Sequence, residues 1–259
     1  MSTPKSAPYL QQWDQMLAMK VVDWRKLYEQ MVAVAKDGQG SSPSSPDPDF
    51  ELWWRLAKVA ANCYLVFEQA ADPKEEHALR FAQEAVGWAE KALALQPAHF
   101  EANLWMTQAA GRLARGAEQT PLTDRIAHFS LLLKHLAVCE QLQPAHPLVP
   151  YTWARILVTL EFETDDQQKD YLAKCGYGAL LPVRLEQAEA YFRRTLALQP
   201  SLETYVDLAA LLSALGKTEQ ARQVAEQGLR TEQCLYPRHK DYLAMLQVYA
   251  RGEAQQPAS

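Results

Sequence analysis

The chain has 259 residues, of which 48% are hydrophobic and 22% charged, an ordinary globular composition that excludes a disordered or fibrous protein. Its 26 Lys and Arg against 31 Asp and Glu give a formal net charge of −5, so no global basic field draws the chain to nucleic acid. The four cysteines match no zinc pattern and no dense disulfide framework, and we interpret them as reduced thiols of the core.

The sequence shows no segment that would carry the chain into or across a membrane. Its first residues lead into a mixed polar and apolar stretch without the continuous apolar region of a signal peptide. No window approaches the roughly 20 apolar residues that a membrane span needs. We therefore expect a cytoplasmic protein without an integral membrane segment.

The first predicted element is a helix at the N-terminus. From residue 9 to residue 35 the apolar side chains recur at intervals of three and four, which places them on one helix face. This pattern predicts one amphipathic helix over residues 1–36. Leaving such a stripe in water costs about 1.5–3 kcal/mol per large side chain, so we expect it to dock onto the rest of the chain or onto a second chain. The side chains expected at that contact are Trp13, Leu17, Trp24 and Met31.

A linker and a long helical region are predicted to follow. Residues 37–49 are rich in Ser, Pro and Gly and are predicted to be a linker. The helical period then continues to residue 251, and residues 252–259 are predicted to form a disordered tail. Within the helical region three segments end in Leu-Gln-Pro, where proline forbids continuation of a helix. These segments are residues 92–97, 139–144 and 195–200.

Repeated helix ends of this kind are typical of stacked helix pairs. Near the C-terminus the apolar and small residues also fit the 34-residue tetratricopeptide (TPR) pattern, in which small side chains mark the contacts within a helix pair. Those residues are Tyr205, Leu208, Ala209, Leu212, Ala221, Ala225 and Gly228. We therefore predict an all-α fold over residues 50–251, a TPR-like right-handed solenoid of antiparallel helix pairs, with roughly ten helices in the chain.

Three further segments form a pattern by their order and separation. They are residues 96–105 with Leu104-Trp105 and Gly111, residues 134–147 with Arg155, and residues 177–200. Together they resemble the regulators of microtubule dynamics, a family that carries a divergent TPR domain. The resemblance covers roughly residues 50–232, and we recognise nothing of the family in the first 49 residues. It implies a TPR-like fold, association with tubulin and, as in one branch of the family, binding of phospholipid.

Residues that could carry catalysis or bind a metal do not form a coherent set. The six histidines form no H-E-x-x-H motif and no cluster with cysteine at ligand spacing, and we interpret His128 and His135 as groove or surface residues. The Gly216-Lys217-Thr218 stretch lacks the first glycine and the strand of a phosphate loop. No nucleophile elbow or triad is visible. We expect no enzymatic activity, no cofactor and no metal.

The remaining classes of function are binding functions. Most aromatic residues at helical spacing are expected in the core, but the adjacent Trp53 and Trp54 cannot both face one neighbour. Basic groups for a groove are found among Arg55, Lys58, Lys134, Arg155, Arg193 and Arg194. We predict a partner-binding site in the concave groove at Trp54, Trp105, His135 and Arg155. Its ligand is expected to be a protein or peptide, with a lipid or other amphiphile in the apolar groove as the alternative. Formation of a homo-oligomer through the N-terminal helix is a further alternative.

Overall fold

The computed structural model describes residues 7–17, 23–39, 50–68, 75–116, 120–234 and 239–252. Twelve α-helices lie in them: α1 (Ala7–Leu17), α2 (Trp24–Gln39), α3 (Phe50–Glu68), α4 (Glu75–Leu95), α5 (Phe100–Arg115), α6 (Leu122–Leu142), α7 (Leu148–Phe162), α8 (Asp166–Leu172), α9 (Leu185–Leu198), α10 (Leu202–Ala214), α11 (Thr218–Gly228) and α12 (His239–Ala250). Short π-helical and 3-10 turns separate α8 from α9. None of the described residues is in a β-strand, so the predicted all-α class is confirmed.

The helices pack in sequential pairs, as the repeat pattern predicts. α3 packs with α4 and α5 with α6, and later in the chain α7 packs with α9 and α10 with α11. The chain divides into two compact units, Met1–Leu142 and Gln143–Ser259. The predicted division into a helix, a linker, a repeat domain and a tail stays a prediction.

The structure has two helices at the N-terminus where the periodicity predicted one. Asp23 is not helical, and its side-chain Oδ1 accepts a hydrogen bond from the backbone N–H of Lys26 at 3.0 Å. That bond satisfies one of the donors left open at a helix start, so α2 begins at Trp24. Residues 18–22 lie outside the described residues. α2 continues through Gln39, and the rest of the predicted linker (40–49) and most of the predicted tail (253–259) also lie outside them.

The apolar stripe of the N-terminal helices is covered by the chain itself. Trp13 of α1 is 3% exposed, and Leu27 and Met31 of α2 are fully buried. They belong to one cluster with Leu52 and Leu56 of α3 and with small side chains of α4 and α5. The helices α1 and α2 therefore extend the core of the first unit.

Proline ends the helices at each of the three Leu-Gln-Pro segments. α4 ends at Leu95, α6 at Leu142 and α9 at Leu198. At the first of these turns, the Asn103 side chain donates hydrogen bonds to the carbonyl oxygens of Pro97 at 2.9 Å and His99 at 2.8 Å. These bonds hold the start of α5 against the turn that precedes it.

Small residues permit close contacts between helices. A Cβ atom at Gly228 of α11 would lie 2.7 Å from Cβ of Tyr205 in α10 and 2.9 Å from Cδ1 of Leu246 in α12. A Cβ atom at Gly111 of α5 would lie 2.8 Å from Cδ1 of Leu132 in α6. The TPR pattern predicted Gly228 as such a contact.

Candidate functional site

Two of the predicted site residues lie on neighbouring helices of the first unit. Lys58, one turn after Trp54 on α3, places its Nζ 5.4 Å from the ring centroid of Trp105 on α5. Trp105 donates a hydrogen bond from Nε1 to Glu101 Oε2 at 2.8 Å. We call Trp54, Lys58, Glu101 and Trp105 the α3–α5 face.

Trp54 is the half-buried aromatic side chain of this face, and three neighbours hold it. Its Nε1 donates a hydrogen bond to Glu51 Oε2 at 3.0 Å. The guanidinium carbon of Arg55 lies 4.1 Å from its ring centroid, and the His99 ring lies 5.8 Å away. Burial lowers the pKa of His99, which favours the neutral ring. A fixed aromatic surface of this kind loses little conformational entropy when a partner covers it.

His135 lies on a different side of α5. Its Nδ1 is 2.7 Å from Oδ1 of Asn103, and this oxygen is the acceptor because the Asn103 amide group donates to two carbonyls. Asn103 and Trp105 are two positions apart, about 200° around the helix axis. The structure therefore does not bring His135 to the α3–α5 face. Both Trp105 and His135 are buried, with exposed fractions of 5% and 9%.

The polar partner of His135 was missed by sequence reasoning. Asn103 is 1% exposed on a helix whose other buried residues are mostly apolar. A buried asparagine in an apolar stretch needs hydrogen-bond partners, which is the signal that the sequence offered. Burial, with a smaller contribution from Lys134, lowers the pKa of His135 to about 4. His135 is therefore neutral near pH 7.

Arg155, the fourth predicted site residue, belongs to the second unit and forms an ion pair there. Its Nη1 lies 3.1 Å from Asp207 Oδ1, and Nη2 lies 3.6 Å from Glu163 Oε1. Tyr151 also donates a hydrogen bond to Asp207 Oδ2 at 2.7 Å. The charge of Asp207 raises the pKa of Arg155, whose side chain is 30% exposed. Arg155 thus connects α7 to α10.

Another arginine, Arg55 of the first unit, binds α1 through an ion pair. Arg55 is 7% exposed, and its Nε and Nη2 bind the two carboxylate oxygens of Asp14 at 2.8 and 2.9 Å. Its Nη1 binds the carbonyl oxygen and the carboxylate of Glu51. The sequence pattern indicated Arg55 only as one of several basic groups, because the partner Asp14 is 41 residues away.

A cleft of about 500 Å³ lies between α2 and α4. Its apolar lining includes Tyr28, Val32 and Phe81. Its charged lining consists of Arg25, Lys36, Arg80 and Glu29, and Arg25 is paired with Glu29 at 2.9 Å. Tyr28 donates a hydrogen bond to Glu84 at 2.6 Å and accepts one from Trp88 at 3.0 Å, which fixes one wall of the cleft. No motif in the sequence indicated this cleft.

In the described part of the chain, no group of three or more His, Cys, Asp or Glu side chains is placed to hold a metal ion. Among the described helices, none combines the length and the apolar character needed to cross a membrane.

Comparisons with known proteins agree with this architecture. A family model described as regulator of microtubule dynamics protein 1-3 matches residues 9–234. Regulator of microtubule dynamics protein 2 of Mus musculus is 25% identical over 173 residues, which are 66% of this chain and 40% of the mouse protein. The chain thus spans less than half of that relative. The crystal structure of a thermophilic TPR protein of Thermus thermophilus matches with a TM-score of 0.57 and 17% identity over 96% of this chain and 98% of that one.

These matches confirm the resemblance and the predicted TPR-like fold. The match to the Thermus protein is a likeness of fold alone, because the identity is low. The family model also corrects one expectation of the sequence analysis. It begins at residue 9, so the family match includes α2 and most of α1, where no family motif was recognised.

Proposed function

We propose that this chain, which belongs to the regulator of microtubule dynamics family, is a non-enzymatic scaffold that binds a protein partner. Stacked helix pairs expose a continuous surface on which peptides and helices dock, which is their usual function. The proposed site is in the first unit at Trp54 and Trp105. His135 of that unit and Arg155 of the second unit are proposed as positioning residues, each within its own unit, and the proposed compartment is the cytoplasm.

The α3–α5 face is the observation that carries this proposal. It combines a fixed, half-buried tryptophan, Trp54, with the opposite charges of Lys58 and Glu101 on adjacent helices. Tryptophan in a well-packed setting is a frequent hot spot of protein interfaces. Within the proposed site Trp54 contacts the partner directly. His135 positions α5 through Asn103, and Arg155 positions α7 against α10.

The name of the mouse relative concerns microtubule dynamics, and we propose a microtubule as the partner. The purified chain is sedimented with microtubules over a range of concentrations. We expect Trp54→Ala to raise the Kd about tenfold or more. Trp54→Phe, which keeps an aromatic ring, is expected to lose less.

Two lysines offer a matched pair for the same assay. Lys58 lies over Trp105 at 5.4 Å on the α3–α5 face, whereas Lys91 lies over Trp88 at 4.1 Å on α4. Lys58→Glu and Lys91→Glu therefore make the same change of charge and each remove one cation–π contact. Only Lys58→Glu is expected to weaken binding. Equal binding by both variants and by Trp54→Ala, with circular dichroism spectra like that of the parent, would contradict the proposal.

The second candidate function is binding of a lipid or another amphiphile, and the cleft between α2 and α4 favours it. Its volume of about 500 Å³ is within the range of small-molecule sites, and it combines apolar walls with cations. Native mass spectrometry of freshly purified protein tests this candidate directly. A co-purified amphiphile that is lost in Phe81→Glu, and kept in Val248→Glu on α12, would support it. A spectrum without bound mass in the parent would exclude it.

A further inference from the structure

We propose that α1 occupies a site that also binds a helix of a partner protein. Like α1, that helix carries an aromatic residue followed directly by Asp or Glu. The site consists of Arg55 with Glu51 and Trp54 of α3, and we call it the Arg55 site. This inference rests on the proposed protein-binding function and specifies its partner.

The arginine of this site is oriented by its own helix. Its Nη1 is held by the backbone and carboxylate oxygens of Glu51, one turn earlier on α3. Its guanidinium group also stacks on Trp54 at 4.1 Å. These contacts leave the edge formed by Nε and Nη2 for a carboxylate from another segment. A planar guanidinium edge that is fixed in advance binds carboxylates in the bidentate geometry with little loss of entropy.

α1 uses this edge as a bound peptide would. Both carboxylate oxygens of Asp14 accept hydrogen bonds from it, at 2.8 and 2.9 Å. The adjacent Trp13 is 3% exposed and belongs to the apolar cluster that contains Leu56 of α3. One acidic and one aromatic side chain, next to each other in sequence, therefore supply the two main anchors of α1.

α1 is expected to bind the Arg55 site weakly, because it is short and lacks stabilising charges at its ends. It has 11 residues, with no acidic residue in its first turn and no basic residue in its last turn. Isolated helices shorter than about 12 residues are marginal in water, so α1 depends on docking for its helical structure. Segments of this kind open locally at a lower free energy than the whole fold. A longer partner helix with the same two anchors can therefore replace α1.

A trans-binding experiment in the full chain tests the site. The variant Trp13→Ala/Asp14→Ala removes both anchors of α1 and leaves α3 unchanged. The probe is a fluorescein-labelled synthetic peptide with the sequence of residues 7–17, followed by fluorescence polarisation. We expect it to bind the variant at least about tenfold more tightly than the parent chain, in which α1 competes at high effective concentration. Peptides that carry Trp13→Ala or Asp14→Asn are expected to lose this binding.

Two arginine substitutions in the variant background locate the contact. Arg55→Met is expected to abolish peptide binding, whereas Arg222→Met, which removes exposed pairs with Glu219 and Glu226 on α11, is expected to preserve it. If the double variant is unstable, Asp14→Lys alone replaces it, because the Asp14 side chain is 51% exposed and its change disturbs no core packing.

Several results would overturn the inference. They are equal binding of the peptide to parent and folded variant, no binding to the folded variant, and equal losses from Arg55→Met and Arg222→Met. Failure here leaves the microtubule assay with Lys58→Glu standing, because Lys58→Glu keeps both partners of the Arg55–Asp14 ion pair, although, besides the hydrogen bond from Arg55, the charge of Lys58 also lowers the pKa of Asp14. If Lys58→Glu does not change microtubule binding and the peptide still binds, the microtubule is rejected as the partner and the Arg55 site is kept.

Discussion

Two glycines within helices differ in the space around them. A Cβ at Gly228 would come within 3 Å of Tyr205 and Leu246, whereas nothing lies within 4 Å of a Cβ at Gly87 in α4. Gly228→Ala is therefore expected to destabilise the protein by about 1–3 kcal/mol through overpacking. Gly87→Ala is expected to stabilise it by up to about 1 kcal/mol, because alanine is the better helix former. Urea unfolding midpoints measure both, and a loss of stability in Gly87→Ala would contradict the expectation.

The pKa of His135 gives a pH dependence of known sign. Burial lowers it from the ordinary 6.5 to about 4, so the unfolded chain takes up a proton at a higher pH than the folded chain. Stability is therefore full above pH 6.5 and falls as the pH is lowered towards 4, by up to roughly 3 kcal/mol. His135→Gln, which can still donate to Asn103, is expected to flatten the unfolding free energy over this range.

The exposed His239 offers a matched control for this measurement, as His239→Gln. His99 and His128 also have pKa values lowered mainly by burial, so a residual slope is expected in the His135→Gln protein. A slope unchanged by His135→Gln would show that the neutral ring of His135 makes no contribution.

At the scale of the helices, the start of α2 shows where periodicity is insufficient. The spacing of apolar residues continues from residue 9 to residue 35, and it predicted one helix. A second helix starts after Asp23 instead, because the Asp23 carboxylate accepts a hydrogen bond from the N–H group of Lys26. A side-chain cap is a local competitor of the helix, and hydrophobic periodicity does not detect it. The Leu-Gln-Pro ends were predictable because proline excludes the helical continuation outright.

This cap makes a direct prediction. Asp23→Ala removes the acceptor for the Lys26 N–H and is expected to destabilise the protein by about 1 kcal/mol. Asp23→Ser and Asp23→Asn keep a capping oxygen and are expected to retain most of the stability. Thermal unfolding followed by circular dichroism compares the three variants. Equal losses in all three would indicate that the hydrogen bond to Lys26 is unimportant.

At the scale of the whole chain, the fold was more predictable than the site. Small residues and prolines report on backbone geometry, and this chain shares the fold of a solved TPR structure at 17% identity. The contacts of the arginines depend on pairs such as Asp14 with Arg55 in the first unit and Arg155 with Asp207 in the second, which are 41 and 52 residues apart. No periodic pattern links residues at such distances. Sequence reasoning therefore named the arginines without their partners.

The role of Arg155 can be separated from direct contact with a partner. Its guanidinium group on α7 forms an ion pair with the Asp207 carboxylate on α10 at 3.1 Å. Both side chains are less than one third exposed. Arg155→Ala leaves the Asp207 carboxylate with Tyr151 and is expected to cost about 1–3 kcal/mol. Hydrogen exchange should become faster in α7 and α10. Arg222→Ala on α11, which breaks exposed pairs with Glu219 and Glu226, is expected to leave stability almost unchanged, because exposed ion pairs are screened by solvent. If Arg155→Ala keeps the exchange rates of the parent and still loses microtubule binding, Arg155 contacts the partner directly instead of positioning α7.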